Sequence, residues 1–318
     1  MISVWILADD RAGNVNQLLG IAEALQLPFE RKDIHYDKWI KLPNLLRGKT
    51  LIGLEKSCHD ILSAPYPDIV LSAGRRSFPI ARYIRKKSGN KTKIIQLMNP
   101  GKAGFNEADL IVLPKHDNYK GKQKNVMQVV GSPHRVSRAR LTTERQKWES
   151  VFKDYPHKRI SLIVGGATKN NPFTTDMAKS LIQSVYHLNP NSVLVTTSRR
   201  TPKDIVELLQ KELPKPNYFY RFGNKGENPY FGLLACADEI VVSGDSMSMC
   251  SECCASGVPV HIFAPDDMMS PKHKRFHQTL YAEGYAVPLG NAPIPPQGTL
   301  NPAFELAEKI KELLPHDK

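Results

Sequence analysis

The chain predicts an α/β protein of two doubly wound, Rossmann-like domains. Three observations carry that expectation. Short β-branched runs alternate with helical stretches along the whole length. The runs are almost uninterrupted apolar residues, which marks parallel strands covered on both faces. Two such sets follow one another, with a helix and a polar connection over residues 132–157 between them. At 318 residues the chain is long enough for two separate cores. The expected division is 1–140, 141–300, and a last amphipathic helix within 301–318 that starts near Pro302.

In the first half the strands are expected at Val4–Ala8, Ile69–Ser72, Ile94–Leu97, Leu110–Leu113 and Val126–Val130. The opening run from Met1 to Leu7 lacks a basic leader and meets Asp9 and Asp10 at once, so it reads as a buried strand and not a signal peptide. In the second half they are expected at Ile160–Val164, Ser192–Thr196, Tyr218–Tyr220, Glu239–Ser243 and Val258–Phe263. No apolar run reaches the ~18 residues that a membrane span needs. Five cysteines, an odd number without an export signal, suggest reduced thiols and a cytoplasmic location.

The net charge of +13 is lopsided. Residues 1–150 hold 26 Lys and Arg against 14 Asp and Glu, while residues 151–318 hold 18 against 17. A basic first half points to an anionic partner there, or else to a solvated basic surface. The arginines sit at strand ends, with no groove-reading helix or stacking platform, so nucleic acid is not expected.

Ligands of open α/β sheets sit beyond the carboxyl ends of the strands. In the second half "IVGGATKNN" puts Gly165, Gly166 and Lys169 after a strand, where backbone N–H groups can meet phosphate, or where the chain simply turns. "TTSRRTP" puts Ser198, Arg199 and Arg200 after the next, and guanidinium forks suit a diphosphate. "ENPYF" places Asn228 and Tyr230 at a helix start, as pocket lining or as a cap. "GDSMSMCSECC" begins with Asp245 or Ser246 as a cap and ends at Gly257. At ~100° per residue, Cys250, Cys253 and Cys254 share a stripe with Met249, while Ser248 and Glu252 share the other side. The cysteines therefore read as core packing, and no metal is expected because their spacing fits no zinc pattern. Ser246 and Ser248 lie at a helix N-terminus that can attract an anion, and Glu252 is placed to accept from a ribose diol.

In the first half "ILADDRAGNVNQ" crowds Asp9, Asp10, Arg11, Gly13 and Asn16 into a Gly-containing loop after the first strand. A carboxylate there can act as a general base or cap the helix. "SAGRRS" places Arg75 and Arg76 after the next strand, "PKHD" places His116 after another, and "GSPHR" places His134 near the domain junction. Residues 36–56 interleave Trp39, Ile40, Leu42, Leu45, Leu46, Leu51 and Ile52 with Lys38, Lys41, Arg47 and Lys49, a pattern that suits a membrane surface as well as an ordinary core segment.

Together "DDRAGNVNQ", "SAGRRS", "PKHD", "VVGSPHRV", "IVGG", "TTSRRTP", "ENPYFGLLACAD" and "GDSMSMCSE" resemble the Elm-type mitochondrial-fission family, in its bacterial branch. They span nearly the whole chain in order. The resemblance implies a glycosyltransferase-like protein of the GT-B fold, its two domains facing a cleft, with a last helix that crosses back to the first domain. It implies a nucleotide-sugar held by the second domain, with Glu252 on the ribose and Ser198, Arg199, Arg200, Ser246 and Ser248 around the diphosphate. It implies an acceptor on the first domain, near Arg11, Gly13, Asn16, Arg75, Arg76 and His116. The chain departs from the family in its first loop, where Asp10, Ala12 and Asn14 replace glycine, proline and histidine. A histidine base is thereby absent, and Asp9 or Asp10 is expected in that role. The expected activity is metal-independent transfer of a sugar to an anionic cell-envelope acceptor, such as a lipopolysaccharide core or a lipid-linked glycan, with no cofactor. The alternatives are a non-catalytic membrane adaptor on the same fold and a nucleotide-sugar epimerase.

Overall fold

Alternation sets the first sheet. In β1 (Val4–Ala8), Val4 and Ile6 enter one core while Trp5 and Leu7 enter another, and all five residues are buried. A strand buried on both faces needs helices on both sides. The computed structural model describes residues 2–101, 104–167 and 171–314. It divides into two compact units, Met1–Arg135 with Pro302–Lys318, and Val136–Asn301.

In the first unit, β1 is followed by α1 (Ala12–Leu25), β2 (Phe29–Asp33), the short α2 (Asn44–Arg47), β3 (Ile69–Ala73) and α3 (Gly74–Lys87). Then come β4 (Lys93–Leu97), β5 (Leu110–Pro114) and β6 (Val126–Val129). The sheet is parallel throughout, in the order β2-β1-β3-β4-β5-β6. On one face Leu18, Ile21 and Leu25 of α1 pack with Leu306 and Ile310 of the last helix. On the other, Phe78, Ile80 and Ile84 of α3 pack against Trp5, Val70 and Ile111.

The second unit runs α4 (Arg138–Trp148), β7 (Arg159–Val164), α5 (Thr175–His187), β8 (Ser192–Thr197), α6 (Lys203–Glu212) and β9 (Asn217–Tyr220). It continues through α7 (Tyr230–Cys236), β10 (Glu239–Ser243), α8 (Met247–Cys253), β11 (Val260–Phe263), α9 (Pro271–Ala282) and β12 (Val287–Pro288). Its parallel sheet has the order β12-β11-β10-β7-β8-β9. Leu181, Val185, Ile205 and Leu209 cover one face. The chain then enters α10 (Pro302–Lys311), which belongs to the first unit. Among the described residues no helix is long and apolar enough to cross a membrane.

Two strands escape the sequence reading. β2 reads Phe-Glu-Arg-Lys-Asp and is largely exposed, because it is an edge strand guarded by charge. β12 has only two residues. β11 starts at Val260, two residues later than its apolar run, since Pro259 has no N–H for the ladder. α4 goes with the second unit because Trp148 packs against Gly232 of α7.

Candidate functional site

A doubly wound sheet opens a crevice where its strand order reverses. In the second unit that point lies between β7 and β10, and in the first between β1 and β3. Polar clusters occupy both.

In the second unit Asp245 follows β10 with its side chain fully buried. It accepts from Gly166 N at 2.9 Å, from Ser243 Oγ at 2.7 Å and from Arg200 Nη2 at 2.8 Å. One carboxylate thus ties together the loops after β7, β8 and β10. Gly165 N donates to Ser243 Oγ at 2.6 Å. A Cβ on Gly165 would lie 2.2 Å from Asp245 Oδ1, and one on Gly166 would lie 2.1 Å from Arg200 O. The paired glycines therefore admit neighbouring loops. Their N–H groups are already used, which corrects the expectation that they would meet phosphate. Lys169 lies outside the described residues.

Ser198 shapes the β8 loop by accepting from Arg200 N at 3.1 Å. The Arg200 side chain is part-exposed despite its buried partner, so Asp245 orients it toward solvent-accessible space. Arg199 is exposed beside it. Ser246 caps α8, accepting from Met249 N at 3.4 Å, and Ser248 is half-buried in the first turn. α8 is only seven residues long, so its dipole is a minor source of attraction beside the arginines.

The far side of α8 is not open to solvent. Glu252 is buried and accepts from the Tyr230 hydroxyl of α7. Burial pushes the Glu252 carboxyl up to about 7, against the lowering effect of that hydrogen bond. Asn228 Oδ1 accepts from Tyr230 N at 3.0 Å and so fixes the start of α7. Cys250, Cys253 and Cys254 are buried and free, with thiol pKa values raised chiefly by burial, and pack as expected.

Sequence reasoning missed the linking role of Asp245, and it missed α9. His277 Nε2 donates to Gly244 O at 2.9 Å, and burial lowers its pKa to about 4. His273 bonds Ser270 at 2.7 Å and lies near enough to Asp245 and Arg200 to feel both charges. Burial lowers its pKa, with Asp245 opposing. The available signal was "SPKHKRFH" after a strand, a capped helix with histidines four apart on one face.

In the first unit the deep carboxylate is Asp9. It accepts from Arg76 Nη2 and Arg11 N, each at 3.1 Å, and from Asn14 Nδ2 at 3.4 Å. Asp10 is exposed and also pairs with Arg76, whose guanidinium lies 4.6 Å over the Tyr36 ring. The expected Gly-containing loop is shorter than the sequence suggested. α1 already begins at Ala12, so Gly13 stands in its first turn and Asn16 just beyond it. A Cβ on Gly13 would meet nothing within 4 Å, so that glycine is not sterically required. Gly74 is different, because its φ of +74° lets α3 begin directly after β3 and presents Arg75 and Arg76 there. His116 is buried beyond β5, two strands from β3, with Asp117 at 4.0 Å. His134 is buried, and its backbone packs on Gly20 of α1, which makes it structural.

Two parallel six-stranded sheets of these orders define a GT-B protein. Two solved enzymes share the fold. UDP-GlcNAc 2-epimerase from Methanocaldococcus jannaschii is 12% identical, with a TM-score of 0.52, over 98% of this chain and 100% of that one. UDP-GlcNAc 2-epimerase from Neisseria meningitidis, bound to UDP-GlcNAc, is 14% identical, with a TM-score of 0.52 and the same coverage. The chain belongs to the mitochondrial fission ELM1 family, whose pattern matches residues 12–314. It is 29% identical to the uncharacterized protein RP120 of Rickettsia prowazekii over 90% of each chain. It is 28% identical to the mitochondrial fission protein ELM1 of Arabidopsis thaliana, spanning 63% of this chain and about half (52%) of that protein.

Proposed function

We propose that the protein is a glycosyltransferase-like enzyme that moves a sugar from a nucleotide-sugar to an anionic cell-envelope acceptor, a lipopolysaccharide core or a lipid-linked glycan. The observation that carries this reading is Arg200, held by the buried Asp245 at the switch point of the second sheet. A guanidinium fixed there is pre-oriented for the diphosphate whose charge grows as the sugar leaves. Ser198, Arg199, Ser246 and Ser248 supply further donors, and Glu252 receives the ribose hydroxyls once the Tyr230 hydroxyl that covers it moves aside. The resident charges and hydroxyls perform this role without a metal ion.

The acceptor side is the first unit, where the excess of basic residues lies. There Asp9 is engaged by donors and positions Arg76, while exposed Asp10 is the group that can take a proton from an acceptor hydroxyl. Arg11, Arg75 and Arg76 offer positive charge to the acceptor's anionic groups. The buried free cysteines fit a reducing cytoplasm.

Calorimetry with UDP, GDP, CMP and ADP tests the donor site. One nucleotide is expected to bind, and Arg200→Ala and Glu252→Ala are each expected to weaken it about tenfold or more. Failure of the unmodified protein to bind any of the four, or full affinity in both variants, sinks the proposal. Conversion of a nucleotide-sugar to its epimer without acceptor would replace transfer by epimerisation.

A further inference from the structure

Ten large apolar side chains are exposed among the described residues, and five of them fall between positions 39 and 61. Trp39 is 53% exposed, Leu45 77%, Leu46 66% and Ile52 45%, with Ile61 beside them in sequence. All lie in the excursion between β2 and β3. Scattered exposed leucines need no explanation, but a cluster does.

The cluster is held outward by two buried side chains that bond backbone carbonyls. Arg47, fully buried, donates from Nε to Ile52 O at 2.9 Å and from Nη1 to Arg76 O at 3.0 Å. Asn44 donates to Arg75 O at 2.9 Å and Pro100 O at 3.0 Å. Gly53, at φ +89°, lies so close to Ile40 that a Cβ would sit 2.9 Å from that backbone. Trp39, α2 and Ile52 therefore form one joined surface. Trp39, Leu42, Leu51 and Ile52 line a groove of about 640 Å³ in it.

The charge around this surface is one-sided. Residues 36–56 carry five basic side chains against Asp37 and Glu55. Arg47 is buried and Lys49 pairs with Glu107 at 2.9 Å, so the exposed Lys38, Lys41 and Lys56 carry the case. Lys38 also lies 5.5 Å over the Trp39 ring. An apolar, tryptophan-bearing face ringed by lysines matches the boundary between acyl chains and anionic headgroups.

We propose that this face seats the first unit on the surface of a bilayer rich in anionic lipid. Trp39, Leu45 and Leu46 enter the acyl boundary, and Lys38, Lys41 and Lys56 meet headgroup phosphates. The same hydrogen bonds that hold the face outward tie it to the first turn of α3, beside Asp9 and Asp10. A lipid-borne acceptor would arrive at that cluster. The inference stands apart from the donor site, since vesicle binding and nucleotide binding can fail independently.

Trp5 and Trp148 are buried, so Trp39 reports on this face. The full chain is mixed with phosphatidylcholine vesicles with and without phosphatidylglycerol. Expected are a blue shift of emission and co-sedimentation with the anionic vesicles, both weakened by high salt. The Leu45→Asp, Leu46→Asp double variant, at positions too exposed to threaten folding, is expected to bind about tenfold more weakly, as is the Lys38→Gln, Lys41→Gln, Lys56→Gln triple variant. Absence of co-sedimentation at low salt overturns the proposal, as does undiminished binding by the Asp variant. So does a stable dimer in light scattering that the Asp variant dissolves, because a second copy would then be what covers the face.

Discussion

Glu252 is a buried carboxyl whose protonation is linked to folding. Its folded pKa of about 7 lies above the ordinary 4.5, so the neutral form is favoured more by the folded chain than by the unfolded one. The resulting stabilisation is fully present below pH 4.5 and is lost as pH rises through 7. Thermal melts of the wild type should therefore show up to about 3 kcal/mol of pH-dependent loss over that window. Glu252→Gln should lack this component, and an unchanged pH slope in the variant would show that the carboxyl is not the source. Asp245 follows different logic. Removing a buried carboxylate that three donors share leaves Gly166 N and Ser243 Oγ without it while Arg200 turns to water, so Asp245→Ala should cost about 1–3 kcal/mol in denaturant unfolding. Gly165→Ala should also destabilise, because its Cβ would strike the same carboxylate. The candidate residues were legible because strand ends can be read from apolar runs. Their wiring was not legible. Nothing in the local sequence says that the Asp245 carboxylate will reach two other strand ends, since that depends on strand order.

The helices show where periodicity suffices and where it fails. The cysteine stripe of α8 follows from helical angles alone, and the three thiols are buried as that stripe requires. The same angles put Glu252 on a second face but could not show that Tyr230 of another helix covers it. Contacts between helices distant in sequence are invisible to any one helix's pattern. The pair α4 and α7 offers a direct test, because a Cβ on Gly232 would lie 2.3 Å from Trp148 Cγ. Gly232→Ala should cost about 1–3 kcal/mol by overpacking. In the background of Trp148→Ala the same change should be nearly neutral, and a double-mutant cycle gives the difference. Equal costs in both backgrounds would show that the two helices do not meet there.

At the scale of the molecule, the order of strands and helices was the most legible feature, because two-sided burial writes long apolar runs into each central strand. The strand the sequence did not reveal beyond the two-residue β12 was charged β2, whose exposure removes that signal. The chain passes from the first unit to the second after Arg135 and returns at Pro302. Leu306 and Ile310 of α10 are fully buried among Leu18, Ile21 and Leu25. Leu306→Ala should therefore cost about 2–5 kcal/mol, measured as loss of stability in the first unit. A value near zero would mean that α10 only rests on its surface.

That return has a consequence for synthesis. The second unit is contiguous in sequence and needs no segment from outside Val136–Asn301. The first unit emerges earlier yet lacks one wall of its core until α10 leaves the ribosome. The half of the protein that is made first thus waits for a segment that follows the whole of the other half.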